Sequence, residues 1–418
     1  MSNDPSNQFP KFDLPSSMDD SSPTVYIWNL YLDEKIELKP KNITCNAQGD
    51  AEDTTTIIRA TRIKGDWEEE EVVVKLRVST EEQKGSGVDE FVNEALEKAD
   101  ELGEDHAWVK DHLPKYPWCK SYRLAKGTPQ YRLVEHLSED DSDVYEGDFL
   151  CITVQAALRP LTDLRRPREY AQVFFDILQI HKWLVDHPKI LHRNINIANI
   201  MFHRKADGTV RGVLKGFDLA CGFPDPDPTQ RPGGARPFMS LDLLDQDHSY
   251  RGHEYRYDLE ALCYVILIIC CHYEKRNSKI QKLKTRLPYG SWFSSNNEYR
   301  VFFDKVSWAG SDIYTPIPIT PFFKGFDESI QYLRSLMWKG KVAAYSYSQF
   351  QQRKEKKSSQ KQGKHFKLPF DWQTLDGKVS YETFREVLCR FDEQPLVERY
   401  HNATCAGTSV DILAIIFK

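Results

Sequence analysis

Residues 190–220, which read ILHRNINIANIMFHRKADGTVRGVLKGFDLA, constrain the fold of this 418-residue chain more than any other segment. In order, the segment contains His192-Arg193-Asn194, Asn199, a turn at Ala206-Asp207-Gly208, a strand-like run at Val210–Leu214 and Gly216-Phe217-Asp218. A short match such as His-Arg-Asn occurs by chance, but the whole arrangement, downstream of a β-branched run with a lysine and of one isolated helix, does not. The order and spacing of these residues are therefore the most informative feature of the sequence.

The chain changes from strands to helices along its length. Strands are predicted over 25–32, 54–63, 72–78 and 131–137, with a single amphipathic helix over 88–102 among them. Beyond these segments, apolar residues recur at helical spacing over 170–187, 257–271, 327–338 and 380–391. The pattern predicts an α+β protein with two lobes. We expect a disordered tail at 1–24, a β-rich lobe at 25–137, a mainly helical lobe at 138–418 and a flexible basic insert at about 352–367.

Composition excludes several classes of function. The 56 Lys and Arg residues against 62 Asp and Glu residues give a net charge of −6, so the protein as a whole has no basic field for specific nucleic-acid binding. The nine cysteines include no CxxC pair, and we expect no zinc, haem or disulfide framework. The longest apolar runs are too short to cross a bilayer. These features predict a reduced intracellular protein, cytoplasmic or nuclear, with no membrane span.

The sequence resembles a eukaryotic protein kinase domain and, within that superfamily, the fungal-type protein kinase family. That family reads approximately His-Arg-Asp-Ile-Ser-x-x-Asn-Ile, then Ile-Asp-Phe-Asp-Leu-Ala, then Gly-Thr-x-x-Phe-Met-Ala and, later, His-Asp-Leu-Glu-Ser. This chain has HRNINIANI, KGFDLA, GGARPFMSLDLL and YDLEALCYVIL in the same order, and the similarity covers most of residues 25–390. The resemblance implies a bilobal kinase-like fold, with a small β-rich N-lobe that holds one helix and a larger, mainly helical C-lobe.

The resemblance also implies which residues would bind ATP and Mg²⁺. Lys75 would contact the α- and β-phosphates. Glu94 would hold that lysine, with Glu90 and Glu97 as rivals one turn to either side. Asn199 would give its amide oxygen to the second metal ion. The residues whose backbone would meet an adenine edge are Glu135, His136 and Leu137, and those that would brace the catalytic loop and the lower lobe are His192, Arg193, Phe217 and Asp258.

Three departures from the family pattern weaken the predicted chemistry. Asn194 stands where active relatives have the aspartate that accepts the substrate proton, and an amide cannot provide the 10²–10⁴-fold help typical of a general base. Gly216 stands where the first metal-binding aspartate belongs, and it offers Mg²⁺ no carboxylate. The loop over the phosphates has Gly49 and then Asp53-Thr54-Thr55-Thr56, in which β-branched residues stiffen the turn. We therefore expect ATP and Mg²⁺ to bind weakly.

The sequence leaves three functions open. The first is a pseudokinase, with impaired or absent phosphotransfer, that acts as a scaffold or regulator. The second is an active Ser/Thr protein kinase in which Asp218 and Asn199 hold the metal ion and Lys215 adds positive charge near the phosphates. The third is a small-molecule phosphotransferase with a similar His-x-Asp-x-x-x-x-Asn loop, although the stretch 231–244 favours the protein kinases. The sequence does not specify the protein partner or the substrate.

Overall fold

The computed structural model describes residues 10–13, 29–46, 55–67, 70–79, 90–137, 148–227, 234–245, 252–275, 278–279, 287–312, 315–358 and 370–400. The chain divides into two compact units. The first unit comprises Met1–Asn93 and Pro114–Leu158, and the second comprises Glu94–Leu113 and Arg159–Lys418. The first unit is built on a β-sheet and the second mainly on helices, so the fold is of the mixed α+β class that the sequence predicts.

Among the described residues, a seven-stranded antiparallel sheet forms the first unit. Its strands are β1 (Lys11–Phe12), β2 (Leu30–Asp33), β3 (Ile36–Asn46), β4 (Thr55–Lys64), β5 (Glu71–Ser79), β6 (Trp118–Arg123) and β7 (Phe149–Ala156). They lie in the order β1-β2-β3-β4-β5-β7-β6. Along β5, Val72, Val74 and Leu76 are buried in the core of the sheet, which is the period of two expected of a strand with one face on a core.

Two helices belong to this part of the chain. Helix α1 (Glu90–Leu102) confirms the amphipathic helix predicted over 88–102. The strand predicted over 131–137 is wrong, because these residues lie in helix α2 (Pro129–Leu137). The hydroxyl of Thr128 accepts the N–H of Tyr131 at 3.3 Å, and Pro129 takes the first helical position, where its missing N–H costs nothing.

The first unit extends further along the sequence than predicted. Strand β7 pairs with both β5 and β6, which makes it an interior strand of the sheet. The chain leaves the first unit after Leu158, so the lobe boundary predicted between 137 and 138 falls inside that unit. The β-branched and apolar run of β7, FLCITVQA, is the sequence signal for this strand.

Part of the predicted N-terminal tail is ordered. Residues 11–12 form β1, in which Phe12 pairs with Leu30 of β2. The ring of Phe12 stacks on that of His136, with 6.2 Å between ring centroids. The prediction of disorder is wrong for these residues because the Phe12 ring has an aromatic partner within the first unit. The other predicted tail residues, apart from 10 and 13, lie outside the described residues.

The second unit contains the helical part of the chain. Its helices are α3 (Pro167–Asp186), α4 (Leu241–Leu244), α5 (Tyr255–His272), α6 (Ser291–Ser294), α7 (Glu298–Ala309), α8 (Asp327–Ser358) and α9 (Tyr381–Leu388). Its strands are β8 (Arg159–Pro160), β9 (Ile190–Leu191), β10 (Ile200–Arg204), β11 (Val210–Leu214), β12 (Cys221–Gly222), β13 (Tyr273–Lys275), β14 (Ser278–Lys279), β15 (Arg390–Phe391) and β16 (Gln394–Pro395). Helix α5 is buried along its whole length and forms the centre of this unit.

The basic insert predicted at 352–367 is partly helical. Helix α8 runs without interruption to Ser358, so a flexible loop over 352–358 is wrong. The segment lacks Gly and Pro before Gly363 and is rich in Gln, Lys, Arg and Glu, all of which are good helix formers. Residues 359–367 lie outside the described residues. None of the helices in the described ranges combines the length and apolar character that a bilayer span requires.

Candidate functional site

A β-hairpin brings the two predicted chemical segments together in the second unit. Strands β10 and β11 pair antiparallel, with Ile200 opposite Leu214. The loop 192–199 enters β10 at the same end of the hairpin at which β11 leads into 215–218. The N–H of Lys215 donates to the carbonyl of Asn199 at 3.0 Å, which continues the pairing by one more bond. The motif spacing thus places Asn199 beside the Gly216 turn.

Helix α3 fixes the position of this hairpin. The N–H of Gly212 in β11 donates to the carboxylate of Asp176, at 3.0 Å, and that carboxylate is fully buried. A Cβ at position 212 would lie 2.9 Å from the carbonyl oxygen of Val173, so the helix approaches the strand as closely as glycine allows. Arg399 also contacts Asp176, at 3.2 Å, and brings the last described segment of the chain onto the same helix.

Asn196 organises the loop that precedes β10. Its side-chain oxygen accepts the N–H groups of Ala198 at 2.9 Å and Asn199 at 3.2 Å, as in an Asx-turn. Its amide nitrogen donates to the side-chain oxygen of Asn194 at 2.9 Å and to the carbonyl of Asn194 at 3.1 Å. The family motif does not include Asn196, although an asparagine at this place in a loop is a recognised sequence signal for an Asx-turn.

Asn194, which the resemblance aligns with the base of active relatives, presents an amide. The side-chain oxygen of Asn194 already accepts a hydrogen bond from Asn196. A small cavity of about 20 Å³ lies beside Asn194 and Asp258, and it is lined mostly by apolar residues that include Phe238 and Leu243. The ring of His253, whose two nitrogens are buried with no hydrogen-bond partner among the described residues, also borders this cavity. An amide at this position can orient a hydroxyl group, but it cannot remove its proton.

Position 216 has no room for a side chain. Its backbone has a φ of +80°, a conformation that L-residues rarely adopt. A Cβ at this position would lie 2.3 Å from Oδ1, 2.5 Å from Cγ and 2.7 Å from Nδ2 of Asn199. The Asn199 amide is held there because its Nδ2 donates to the carbonyl of Asn194 at 2.9 Å. The space that an aspartate side chain would need is therefore filled by a neighbouring amide.

The donor groups at this site do not fit a bound magnesium ion. Mg²⁺ requires hard oxygen ligands, usually carboxylates together with phosphate oxygens and water, in near-octahedral geometry. Gly216 supplies no side chain, and Asp218, two residues on, is an exposed carboxylate. Within the described ranges, no three His, Cys, Asp or Glu side chains cluster as a metal site needs. The amide oxygen of Asn199 would be the side-chain ligand next to Gly216.

His192 joins the two loops as a neutral ring. Its Nδ1 accepts the N–H of Asn194 at 3.2 Å, so Nε2 carries the proton and donates to the carbonyl of Lys215 at 3.1 Å. The ring packs edge-to-face on Phe217, with 4.7 Å between centroids. Complete burial disfavours the charged form and lowers the pKa of His192 to about 4, although Asp258 opposes the shift. His192 and Phe217, which were both predicted to brace this region, therefore contact each other.

Acidification is expected to destabilise the protein through His192. Between its folded pKa of about 4 and its ordinary value of 6.5, the unfolded chain binds the proton and the folded one does not, so stability falls as the pH falls through this window. The shift corresponds to about 2 kcal/mol of unfolding free energy between about pH 7 and about pH 5. Urea unfolding at the two pH values checks this, since His192→Asn should lose that part of the pH dependence. An equal pH dependence in the variant would contradict the assignment.

Asp258 anchors the same loop from α5. It is buried, and its Oδ2 accepts the N–H of Arg193 at 3.1 Å and Nε2–H of His181 at 3.0 Å. Nε2 of His253 lies 3.6 Å from Oδ1, beyond hydrogen-bond distance but close enough for an electrostatic contact. Burial alone would raise the pKa of Asp258, but the two imidazoles outweigh burial and hold it well below its ordinary value. Arg193 has a φ of +59°, so these contacts hold a strained residue in place.

The side chain of Arg193 fastens the loop to the segment after the Gly216 turn. Its Nε donates to the carbonyl of Leu219 at 2.6 Å, and its guanidinium lies 3.5 Å from the carboxylate of Asp225. Asp225 also accepts the N–H of His253 at 2.8 Å. The roles of His181, His253 and Asp225 were missed from the sequence, because isolated residues far apart in the chain carry no spacing signal.

The predicted nucleotide contacts lie mainly in the first unit. Lys75 is half-buried in β5, opposite Ile57 and Thr153 of the neighbouring strands. Glu94 is exposed on α1, in the part of that helix assigned to the second unit. The pairing of Lys75 with Glu94, or with Glu90 or Glu97, stays a prediction.

The predicted adenine contacts lie at the end of a helix, and their contact with a base stays a prediction. Glu135, His136 and Leu137 form the last turn of α2, where helical hydrogen bonding uses their N–H groups but leaves their carbonyl groups without a partner inside the helix. In the phosphate loop, Gly49, Asp53 and Thr54 lie outside the described residues, and Thr55 and Thr56 begin β4.

The chain matches one family model and is similar to a solved kinase structure. The model of the family described as Fungal protein kinase matches residues 33–270, more than half of the chain. Among solved structures, the structure of vaccinia related kinase 3 matches with 15% sequence identity and a TM-score of 0.43, over 84% of this chain and 86% of that chain. No curated protein matches the chain.

Proposed function

The chain belongs to the fungal protein kinase family, and from that premise we propose that it is a pseudokinase. We infer that phosphotransfer is impaired or absent and that the protein acts as a scaffold or regulator, by binding a partner or by holding a conformation. ATP and Mg²⁺ are at most weak ligands in this proposal.

One observation carries the proposal. The amide of Asn199 fills the space of a side chain at position 216, where Oδ1 lies 2.3 Å from the site of a Cβ. A neighbouring amide therefore occupies the space next to position 216, and the site is not simply one carboxylate short of completion. A kinase works almost entirely by positioning and electrostatic stabilisation of the transferred phosphoryl group, and its metal ions neutralise the charge that develops there.

The loop at Asn194 supports the same conclusion independently. General-base help typically contributes 10²–10⁴-fold to the rate, and the side-chain oxygen of Asn194 is engaged by Asn196. The supporting scaffold is nonetheless intact, since Asp258, His192 and Arg193 make the buried contacts described above. Retention of the scaffold without its acidic groups favours a role in binding or conformation over turnover.

An active kinase is the second candidate function because of Asp218. This carboxylate is exposed two residues after Gly216 and could approach a nucleotide-bound metal ion if the turn shifted. A radiolabel phosphotransfer assay with Mg²⁺ and with Mn²⁺, on the wild type and Asp218→Ala, separates the two candidates. We expect background incorporation in both proteins. Turnover in the wild type that Asp218→Ala abolishes would replace the first proposal with the second.

Asn194→Asp is expected to preserve the fold without restoring turnover. A carboxylate at this position can still accept the hydrogen bond from Asn196, so the unfolding free energy should stay within about 0.5 kcal/mol of the wild type. Because position 216 still lacks a carboxylate, phosphate incorporation should remain at background. Urea unfolding and the radiolabel assay measure the two quantities, and a gain of an order of magnitude or more in turnover would contradict the importance given to Gly216.

A further inference from the structure

Helix α8 has a stripe of partly exposed apolar side chains, of which Trp338 also packs beside Gly310 at the end of α7. Trp338, Val342 and Tyr345 are 37%, 45% and 66% exposed. Their i, i+4, i+7 spacing places them within about 60° of one another around the helix axis. Large apolar side chains that are aligned and exposed in this way mark interaction surfaces more often than isolated ones do.

The opposite face of the same helix is packed, so α8 does not simply project into solvent. Ala344 is buried next to the exposed Tyr345. The ring of Tyr347 stacks on Phe370, with 5.1 Å between centroids. Gly340 approaches the segment before α9 so closely that a Cβ there would lie 2.9 Å from the side chain of Leu375. Helix α8 therefore presents one covered face and one open face over the same turns.

The charge of α8 selects the kind of partner. Residues 338–358 include six basic residues and one acidic residue, Glu355. Among the basic residues, Lys341 is paired with the buried carboxylate of Asp242, which also pairs with Arg256. Arg353 is exposed and continues the stripe by helical spacing. The positive charge that remains disfavours a second copy of the same helix as the occupant and favours an acidic partner.

We propose that the open face of α8, defined by Trp338, Val342, Tyr345 and Arg353, docks an acidic amphipathic helix of a partner protein. The apolar side chains recur at the period at which an amphipathic helix presents its own anchors. A stripe about 60° wide is narrow for a helix that lies in a membrane interface, which needs a broad apolar face. The surface does not overlap the Asn194 and Gly216 loops, so this inference does not depend on the proposed loss of phosphotransfer.

The test uses the full chain and a defined probe. A synthetic helical peptide with Leu on one face at i, i+3, i+4 and i+7 and Glu elsewhere is titrated by fluorescence anisotropy, next to a scrambled peptide of the same composition. We expect the patterned peptide to bind more tightly than the scrambled one, with an affinity that falls as salt is raised. The double variant V342S/Y345S should weaken binding at least tenfold. Tyr299→Ser on α7, which alters a residue 52% exposed outside the stripe, should leave binding unchanged.

The outcomes that would overturn the proposal are equally defined. They are no difference between the patterned and scrambled peptides, or equal affinity of the wild type and V342S/Y345S. Tighter binding of phosphatidylserine vesicles or of a single-stranded RNA oligonucleotide, lost in the same double variant, would assign the face to a different class of partner. Circular dichroism and thermal unfolding of the double variant confirm that the exposed substitutions leave the fold intact.

Discussion

Gly216→Asp is expected to destabilise the protein and to leave it without affinity for a metal ion. The new Cβ would lie within 2.3–2.7 Å of three atoms of the Asn199 amide, which is itself bonded to the carbonyl of Asn194. The residue would also occupy a φ of +80°, which costs of order 1–3 kcal/mol for a side chain with a Cβ. With overpacking added, urea unfolding should show a loss of about 2–5 kcal/mol.

Gly208 provides a matched control for this substitution. It has a φ of +83° in the same unit, and a Cβ there would have no atom within 4 Å. Gly208→Asp should therefore lose only the part of the unfolding free energy that comes from backbone strain, because no collision occurs there. Removing the amide, in Asn199→Ala/Gly216→Asp, should recover the part of the loss that the collision causes. Equal losses at positions 208 and 216 would show that Asn199 does not fill the site.

Asp258→Asn is expected to be strongly destabilising. The carboxylate is buried and accepts hydrogen bonds from the Arg193 backbone and His181, whereas an amide must turn a donor toward one of these groups. Removing one member of a buried charged cluster typically costs about 3–5 kcal/mol, because the remaining polar groups stay buried without compensation. Urea unfolding measures the loss, and amide exchange at Arg193 should become faster as the loop is released.

The control for Asp258→Asn is the same change at an exposed carboxylate. Asp218→Asn removes the same charge from the loop that contains Gly216, but outside the core, since Asp218 is exposed. It should change the unfolding free energy by less than about 0.5 kcal/mol. A loss at Asp258 as small as this would mean that Arg193 keeps its strained conformation without the buried carboxylate.

Regular elements with a clear period could be predicted from the sequence. Helices α3 and α5 and the hairpin strand β11 follow from apolar spacing and from the turn before Val210, because these signals are local. A strand was predicted in place of helix α2 because, over so short a length, its apolar and polar residues fit both the period of two of a strand and the period of about 3.6 of a helix. The Thr128-Pro129 start is the signal that decides for the helix.

The absence of acidic side chains at positions 194 and 216 could also be predicted, but the contacts around these positions could not. Asn194 and Gly216 depart from the family pattern at positions fixed by spacing alone. The position of the Asn199 amide over Gly216 depends on a backbone carbonyl, and the setting of Asp258 depends on histidines from other segments. Such contacts are tertiary, so no local period or motif reports them.

The most direct test of the proposed pseudokinase is a measurement of metal binding. Mn²⁺ is titrated into the purified full chain with a non-hydrolysable ATP analogue, and free Mn²⁺ is followed by electron paramagnetic resonance beside the analogue alone. We expect the two titrations to coincide, because neither Gly216 nor the Asn199 amide supplies the carboxylate that the ion requires. Retention of one Mn²⁺ per chain beyond that held by the analogue, lost in Asn199→Ala or Asp218→Ala, would contradict the proposal.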